Sequence, residues 1–359
     1  MKVAFIARPD LYSLSGGDTV QLDNTASALR MLGVEVDIRL ADEQIEYSAY
    51  DLLHMFNMID CEDLLKHALH TPVPYVLSTI FVDYTEYDRY HRGGVIGGLS
   101  RFFSPDTVEW MKKTAKFLLK GDRVSTYRYF LMGNRKSVCS ILERAAFLLP
   151  NSHREYRRVV EAYGVERPYA VIPNAVDTRL FEYSGTSLER DIILCVARIE
   201  GRKNQLNLIR AVNGTPYRLI LIGRPSVNQH KYVARCIKEA GENVTFIEHM
   251  TQPELRQYYL RAKVHVLASW FETTGLSSLE AAAMGCNIVV GDKGDVREYF
   301  GEFAYYCNPE SIESIREAII QAMNAKPSAS LHGFIQENYN WNRAAQLTKD
   351  VYKRVLAHD

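Results

Sequence analysis

The chain alternates short apolar runs with amphipathic ones, and it does so in two rounds. Val3–Ala7 reads as a strand, Thr19–Leu32 as a helix and Val34–Arg39 as a second strand, with Gly33 marking the helix C-terminus. Leu52–Phe56, Tyr75–Thr79 and Ala146–Pro150 are further apolar runs. The second round is more regular. Strands are expected at Ile192–Ala197, Arg218–Ile222, Val244–Ile247, Val264–Ala268, Asn287–Val290 and Phe303–Tyr306. Helical segments at roughly Gln205–Val212, Gln229–Ala240, Gln252–Arg261, Ser277–Met284 and Ser311–Met323 separate them. Strands that alternate with helices pair in parallel through helical crossovers, so each round specifies a doubly wound α/β domain.

A length of 359 residues accommodates two such domains. The break is expected near Val171–Asp177, ahead of the less patterned Ser184–Arg190, giving domains at 1–170 and 171–330. Residues 331–359 hold a terminal helix, Trp341–Leu356, after the breaker Pro327–Ser330. Lys and Arg number 43, as do Asp and Glu, so nothing global argues for nucleic acid. The six cysteines (Cys61, Cys139, Cys195, Cys236, Cys286, Cys307) are scattered in mostly apolar surroundings. They read as small buried hydrophobes, which fits a reducing compartment and argues against a disulfide framework or zinc cluster. Met1–Ala7 is too short for a secretory leader's apolar region and reads as the first buried strand. No run approaches the ~18 apolar residues of a membrane helix. A cytoplasmic protein is expected.

The segment Phe271–Glu280 follows the strand Val264–Ala268 and runs into the Ala-rich helical stretch Leu279–Met284. Such a helix N-terminus presents unpaired N–H groups and a positive dipole end, and it binds phosphate readily. Glu272 stands in the loop and Glu280 about one turn inside, facing the same crevice. A ligand with a central diphosphate and hydroxyl-rich ends suits this layout, and a sugar nucleotide has that shape. Arg198 and Lys203 follow the strand Ile192–Ala197, where an open α/β sheet binds ligands. Two cations there neutralise a diphosphate, Arg with paired hydrogen bonds. Ser15-Gly16-Gly17-Asp18 follows the first strand but lacks the Gly-x-Gly-x-x-Gly dinucleotide fingerprint. No Asp-x-Asp occurs, and no His/Cys cluster has zinc spacing, so no metal site is expected.

Glu272, Gly275, Leu276 and Glu280 resemble the Glu-x7-Glu motif of the family 4 retaining glycosyltransferases, also called group 1 glycosyl transferases. The resemblance implies a GT-B fold: two Rossmann-like doubly wound domains facing a central cleft. The first would bind the acceptor and the second the nucleotide-sugar, with the C-terminal helix crossing back to the first. It implies transfer of a sugar from a nucleotide-diphosphate sugar to an acceptor hydroxyl with retention, without metal or other cofactor. Glycan, polysaccharide or glycolipid synthesis is the implied setting. Arg198 and Lys203 match the family's donor-phosphate cations, Glu272 the group on the donor sugar, and Glu280 the ribose ligand. Backbone amides near Thr274, Gly275 and Leu276 would hold the leaving group. Gly223 matches a glycine close to the donor, Met250 and Thr251 border the base, and Gly16 and Gly17 lie over the diphosphate. Ile172–Asp177 resembles the family's linker, with Ala175 where glycine is usual, and Pro150-Asn151-Ser152 a strand-end element.

One departure stands out. Many members carry His at about Ile80 or Phe81, and this chain has none. Asp83 is the chief candidate for the equivalent sugar-hydroxyl role, with Glu86, Asp88, His54 and Asn57 behind it. Two alternatives remain: a sugar-nucleotide epimerase of GT-B fold, and a non-catalytic sugar-nucleotide-binding scaffold. The segment 110–146 holds nine basic residues (Lys112, Lys113, Lys116, Lys120, Arg123, Arg128, Arg135, Lys136, Arg144) against Asp122 and Glu143. Interleaved apolar residues make it a candidate for peripheral contact with the inner face of a membrane, or with a lipid-linked acceptor.

Overall fold

The computed structural model describes residues 1–14, 16–120, 126–183, 185 and 190–357. Ser15, Asp122, Arg123, Ser184 and residues 186–189 lie outside them, as does the side chain of Lys120.

The chain forms two compact units, Met1–Asn174 with Trp341–Asp359, and Ala175–Asn340. The first holds β1 (Lys2–Ala7), β2 (Glu35–Leu40), β3 (Leu52–Phe56), β4 (Tyr75–Ser78) and β5 (Phe147–Leu148). The second holds β6 (Ile192–Val196), β7 (Arg218–Ile222), β8 (Val244–Ile247), β9 (Ala262–Leu267), β10 (Asn287–Gly291) and β11 (Ala304–Cys307). Every run read as a strand forms one, with ends moved by at most two residues. The first sheet has the order β2-β1-β3-β4-β5 and the second β11-β10-β9-β6-β7-β8. All neighbours are parallel. The central strands β1, β3, β4, β6, β9 and β10 are buried on both faces, as parallel sheets flanked by helices require, while β2, β8 and β11 are only half-buried. Strand order reverses between β1 and β3 in the first sheet and between β6 and β9 in the second.

Several helices lie outside the runs read as helical in the sequence. His153–Tyr163 carries an apolar stripe, Tyr156, Val159, Val160 and Tyr163, of which Tyr156, Val159 and Tyr163 pack on the core of the first unit. Ser152 accepts the Glu155 N–H at 2.8 Å at its start and Gly164 ends it at φ 71°. The stripe and the caps together define the helix. The breaker at Pro327–Ser330 is shorter than expected. Ser328 caps a further helix, Ala329–Asn338, accepting the Leu331 N–H at 3.1 Å.

The helix Trp341–Leu356 packs on Gly17–Met31 within the first unit. Tyr352 Oη lies 2.5 Å from His54 Nδ1, and Lys349 donates to the Leu32 carbonyl at 2.6 Å. His54 Nε2 meets Ser78 Oγ at 2.8 Å. Burial pushes this imidazole down to about 3. His54 is therefore a neutral core residue, not a group offered to a sugar.

The basic segment forms two helices, Pro105–Lys120 and Arg128–Arg144, the latter kinked at Gly133. Their basic residues do not form one solvated face. Lys113 turns inward to the Ile59 carbonyl at 2.8 Å and to an ion pair with Glu62. Lys112 pairs with Glu109 at 2.5 Å, and Arg135 lies 3.6 Å from Asp106. Four apolar side chains there are exposed: Leu118, Leu119, Tyr127 and Leu131. Among the described residues, no helix is long and apolar enough to cross a membrane.

Candidate functional site

Ligands of a doubly wound sheet bind outside the C-terminal ends of the strands at the order reversal. In the second sheet these are β6 and β9. Arg198 and Lys203 lie on the segment leaving β6, and Glu272, Thr274, Gly275 and Leu276 on the segment leaving β9.

Three contacts stitch these segments together. Asn204 takes a left-handed φ of 60°, and its buried amide donates to the Ala268 carbonyl at 3.0 Å and the Pro309 carbonyl at 2.8 Å. Trp270 N–H donates to the Arg202 carbonyl at 3.0 Å. Lys203 Nζ donates to Glu272 Oε1 at 2.5 Å. Asn204 escapes the sequence reading. Its one local signal is an Asn just before a helix, a residue type that tolerates the left-handed region.

Glu272 is buried, and its carbonyl accepts the Asp295 N–H at 2.8 Å. Gly294 packs against the same peptide at φ +81°, where a Cβ would come within 2.1 Å of the Glu272 carbonyl oxygen. Gly294 is also invisible in the sequence, because the need for glycine arises across two loops far apart in the chain. Arg198 is exposed, and its carbonyl is held by Gln205 Nε2 at 2.9 Å. Among the described residues, no side chain pairs with its guanidinium. Gly223 ends β7, and a Cβ there would stand 1.9 Å from the Ala197 carbonyl oxygen. Close packing against the end of β6 by itself accounts for this glycine.

Gly275, at φ 70°, precedes the helix Leu276–Ala283, and its carbonyl accepts the Ser278 and Leu279 N–H groups at 2.8 and 3.2 Å. One turn on, the buried Glu280 accepts from Tyr259 Oη at 2.8 Å and Gln252 Nε2 at 3.2 Å. Burial pushes its carboxyl up to about 7, although both hydrogen bonds act the other way. Tyr259 and Gln252 sit seven residues apart on one face of the helix Gln252–Arg261. Thr251 caps that helix, its N–H and hydroxyl both donating to Glu254 Oε2 at 2.7 Å. Its side chain is thus committed to the helix end. Met250 is half-buried against the core of the second unit.

Asp83, Gly16 and Gly17 belong to the first unit. Asp83 Oδ1 accepts the Thr85 N–H at 2.9 Å, starting the helix Thr85–Tyr90. Gly16 is extended and donates its N–H to Thr19 Oγ1 at 3.1 Å; Gly17 opens the helix Gly17–Met31. The loop ahead of them is clamped by Arg8, which donates to Asp10 at 2.5 Å, Asp18 at 2.7 Å and the Leu14 carbonyl at 2.8 Å. Asn57, at φ 72°, accepts the Ile59 N–H at 3.2 Å, and Asp88 pairs with Arg92 at 3.1 Å. Among the described residues, no group of three or more His, Cys, Asp or Glu side chains is placed to hold a metal ion.

Two doubly wound parallel units of this kind make up the GT-B class of fold. Sucrose-phosphate synthase from Thermosynechococcus elongatus superposes with a TM-score of 0.78 at 17% identity over 100% of both chains. Anabaena HepE, solved with UDP and glucose, gives 0.71 at 14% identity, covering 99% of this chain and 100% of that one. Residues 177–341 match the model of the glycosyl transferases group 1. An uncharacterized glycosyltransferase of Methanocaldococcus jannaschii is 29% identical over 190 residues, 47% of this chain and 46% of that relative. The chain thus spans about half the length of that relative.

Proposed function

We propose that this protein is a retaining glycosyltransferase that moves a sugar from a nucleotide-diphosphate sugar to an acceptor hydroxyl without a metal ion. The observation that carries the reading is the Lys203–Glu272 pair at the β6–β9 reversal point, with the exposed Arg198 on the same segment leaving β6. The group 1 family match and the UDP bound to HepE support it.

In this reading the C1–O bond to the diphosphate breaks while a bond from C1 to the acceptor oxygen forms on the same face. The acceptor's proton passes to the departing phosphate oxygen. Negative charge grows on the leaving group, so fixed cations and N–H donors there lower the barrier most. Arg198, Lys203 and the backbone near Thr274–Leu276 supply them. Glu272 accepts from the donor sugar's hydroxyls and Glu280 from the ribose. Asp83, in the first unit, serves the acceptor side, and the backbone of Gly16 and Gly17 serves the diphosphate.

Calorimetric titration with UDP-, GDP-, ADP- and TDP-sugars in EDTA tests the reading, with Glu280→Ala alongside. One nucleotide class should bind in EDTA and lose affinity in the variant. No binding to any of them would leave the scaffold reading ahead. A rearranged sugar released without acceptor would favour the epimerase.

The acceptor in this reading is a glycan or lipid-linked. Leu119 and Leu131 are 85% and 89% exposed at the facing ends of two basic helices, where Phe117 and Phe130 pack with ring centroids 4.9 Å apart. Apolar side chains beside Lys116 and Arg128 suit an anionic bilayer face. Co-sedimentation with phosphatidylglycerol vesicles should fall in Leu119→Asp/Leu131→Asp. Equal binding in the variant would remove the membrane from the proposal.

A further inference from the structure

At the C-terminal end of β4 two unfavourable features sit side by side. Ile80 has φ +46°, a left-handed conformation that a β-branched residue adopts only under constraint. Next to it lies a fully buried carboxylate, Glu155, in the first turn of the helix His153–Tyr163. Glu155 Oε1 accepts from the Thr79 hydroxyl and from the Phe81 N–H at 2.9 Å, so the residues on either side of Ile80 hang on one oxygen. Oε2 accepts the Asn151 N–H at 2.9 Å. Arg158, on the same helix, donates to the Phe81 carbonyl at 3.5 Å. From the other side, Asn57 N–H reaches the Ser78 carbonyl at 2.9 Å and Met58 N–H the Thr79 carbonyl at 3.1 Å.

The strain is therefore over-determined from two directions. A buried charge is a costly way to brace a loop when a neutral amide also accepts N–H groups. Both costs fall at the C-terminal edge of a parallel sheet, where such sheets take their ligands. Strain held in place there is the mark of a site rather than of a bare connection. The turn also carries the chain from β4 to Asp83, whose Oδ1 alone is occupied by the Thr85 N–H.

We propose that Glu155 is a positioning residue of the acceptor side: through Thr79 and Phe81 it holds the turn 79–83 in the shape that receives a hydroxyl-bearing sugar. This rests on the glycosyl-transfer reading above. Glu155 touches no reacting atom. It fixes the direction in which Ile80 and Asp83 are presented.

The test compares full-length Glu155→Gln, Ile80→Gly and the double variant. Hydrogen exchange across 75–85 reads the turn, calorimetry with UDP and GDP reads the second unit, and transfer to octyl glucoside, galactoside and mannoside reads the acceptor side. In Glu155→Gln, exchange at 79–83 should quicken about tenfold or more. Nucleotide Kd should stay within about twofold, while kcat/KM for the octyl hexoside falls about 10²-fold per folded molecule. Ile80→Gly placed in that background should restore part of the transfer, because glycine holds a positive φ without a clamp. Unchanged exchange, or unchanged transfer per folded molecule with only a lower melting midpoint, would make Glu155 purely structural and overturn the proposal. A wild-type protein that binds no nucleotide and uses none of the hexosides would instead sink the glycosyl-transfer reading, leaving exchange to decide whether the clamp exists.

Discussion

Lys203 Nζ lies 2.5 Å from Glu272 Oε1, although the two residues leave different strands and stand 69 positions apart. Their side chains are only 20% and 10% exposed, so neither charge is well hydrated without the other. In the proposed reaction, an arriving diphosphate would meet a lysine already aimed by a carboxylate. Lys203→Ala strands Glu272 without its cation. We expect a loss of about 1–3 kcal/mol in stability and of about 10²–10³ in turnover. Removing Glu272 as well should return stability but not turnover. Urea midpoints and initial rates on the four proteins of the cycle check this, and additive stability losses would contradict it.

Arg198 has the opposite setting. It is exposed, and no described side chain holds its guanidinium. Arg198→Ala should therefore leave stability within about 0.5 kcal/mol while turnover drops about 10²-fold or more. A thermal melt beside a rate measurement separates the two. Near-normal turnover would remove Arg198 from the donor site.

Gly294→Ala tests whether the backbone of Glu272 is held by close packing. The added Cβ would sit 2.1 Å from the Glu272 carbonyl oxygen at φ +81°. Either that peptide or the loop after β10 must move, at about 1–3 kcal/mol, and turnover should fall with it. Gly33→Ala is the control. Its φ is +79° but nothing lies within 4 Å of the new Cβ, so only the backbone cost of about 1 kcal/mol applies and turnover stays.

Glu280 makes stability depend on pH. Burial holds its carboxyl at about 7 in the fold, against an ordinary value of 4.5. Between these two values the folded protein keeps a proton that the unfolded chain has lost. Stability therefore declines as pH rises from 4.5 to 7 and levels off above, by a few kcal/mol at most. Glu280→Gln should flatten that part of the curve, measured by chemical denaturation from pH 4.5 to 8. If the ionised carboxylate receives the ribose hydroxyls, nucleotide affinity should rise through pH 7 in the wild type and not in the variant.

The strands were legible because parallel strands buried on both faces leave continuous apolar runs, as in Ile192–Val196 and Asn287–Gly291. The helix His153–Tyr163 went unread although Tyr156, Val159, Val160 and Tyr163 recur at helical spacing between the caps Ser152 and Gly164, a signal present in the sequence. The charged residues of the proposed donor site were picked out for a related reason: Arg198, Lys203 and Glu272 sit just after recognisable strands. Their supports were not. Asn204, Gly294 and Tyr259 act across distances that no local pattern encodes, and Glu155 looks like any acidic residue in a first helical turn. The expected availability of His54 failed because Tyr352, nearly three hundred residues away, closes over it.

The first unit is assembled from two stretches of chain, with Trp341–Leu356 laid on Gly17–Met31. On the ribosome its five strands emerge early, but His54 has no Tyr352 and Leu32 no Lys349 until the whole second unit has been translated. Residues 175–340 form an unbroken stretch and can complete their sheet in the interval. The unit whose strands are made before residues 175–340 is thus completed after them, and loss of the stretch from Trp341 onward injures that unit rather than the one directly ahead of the cut.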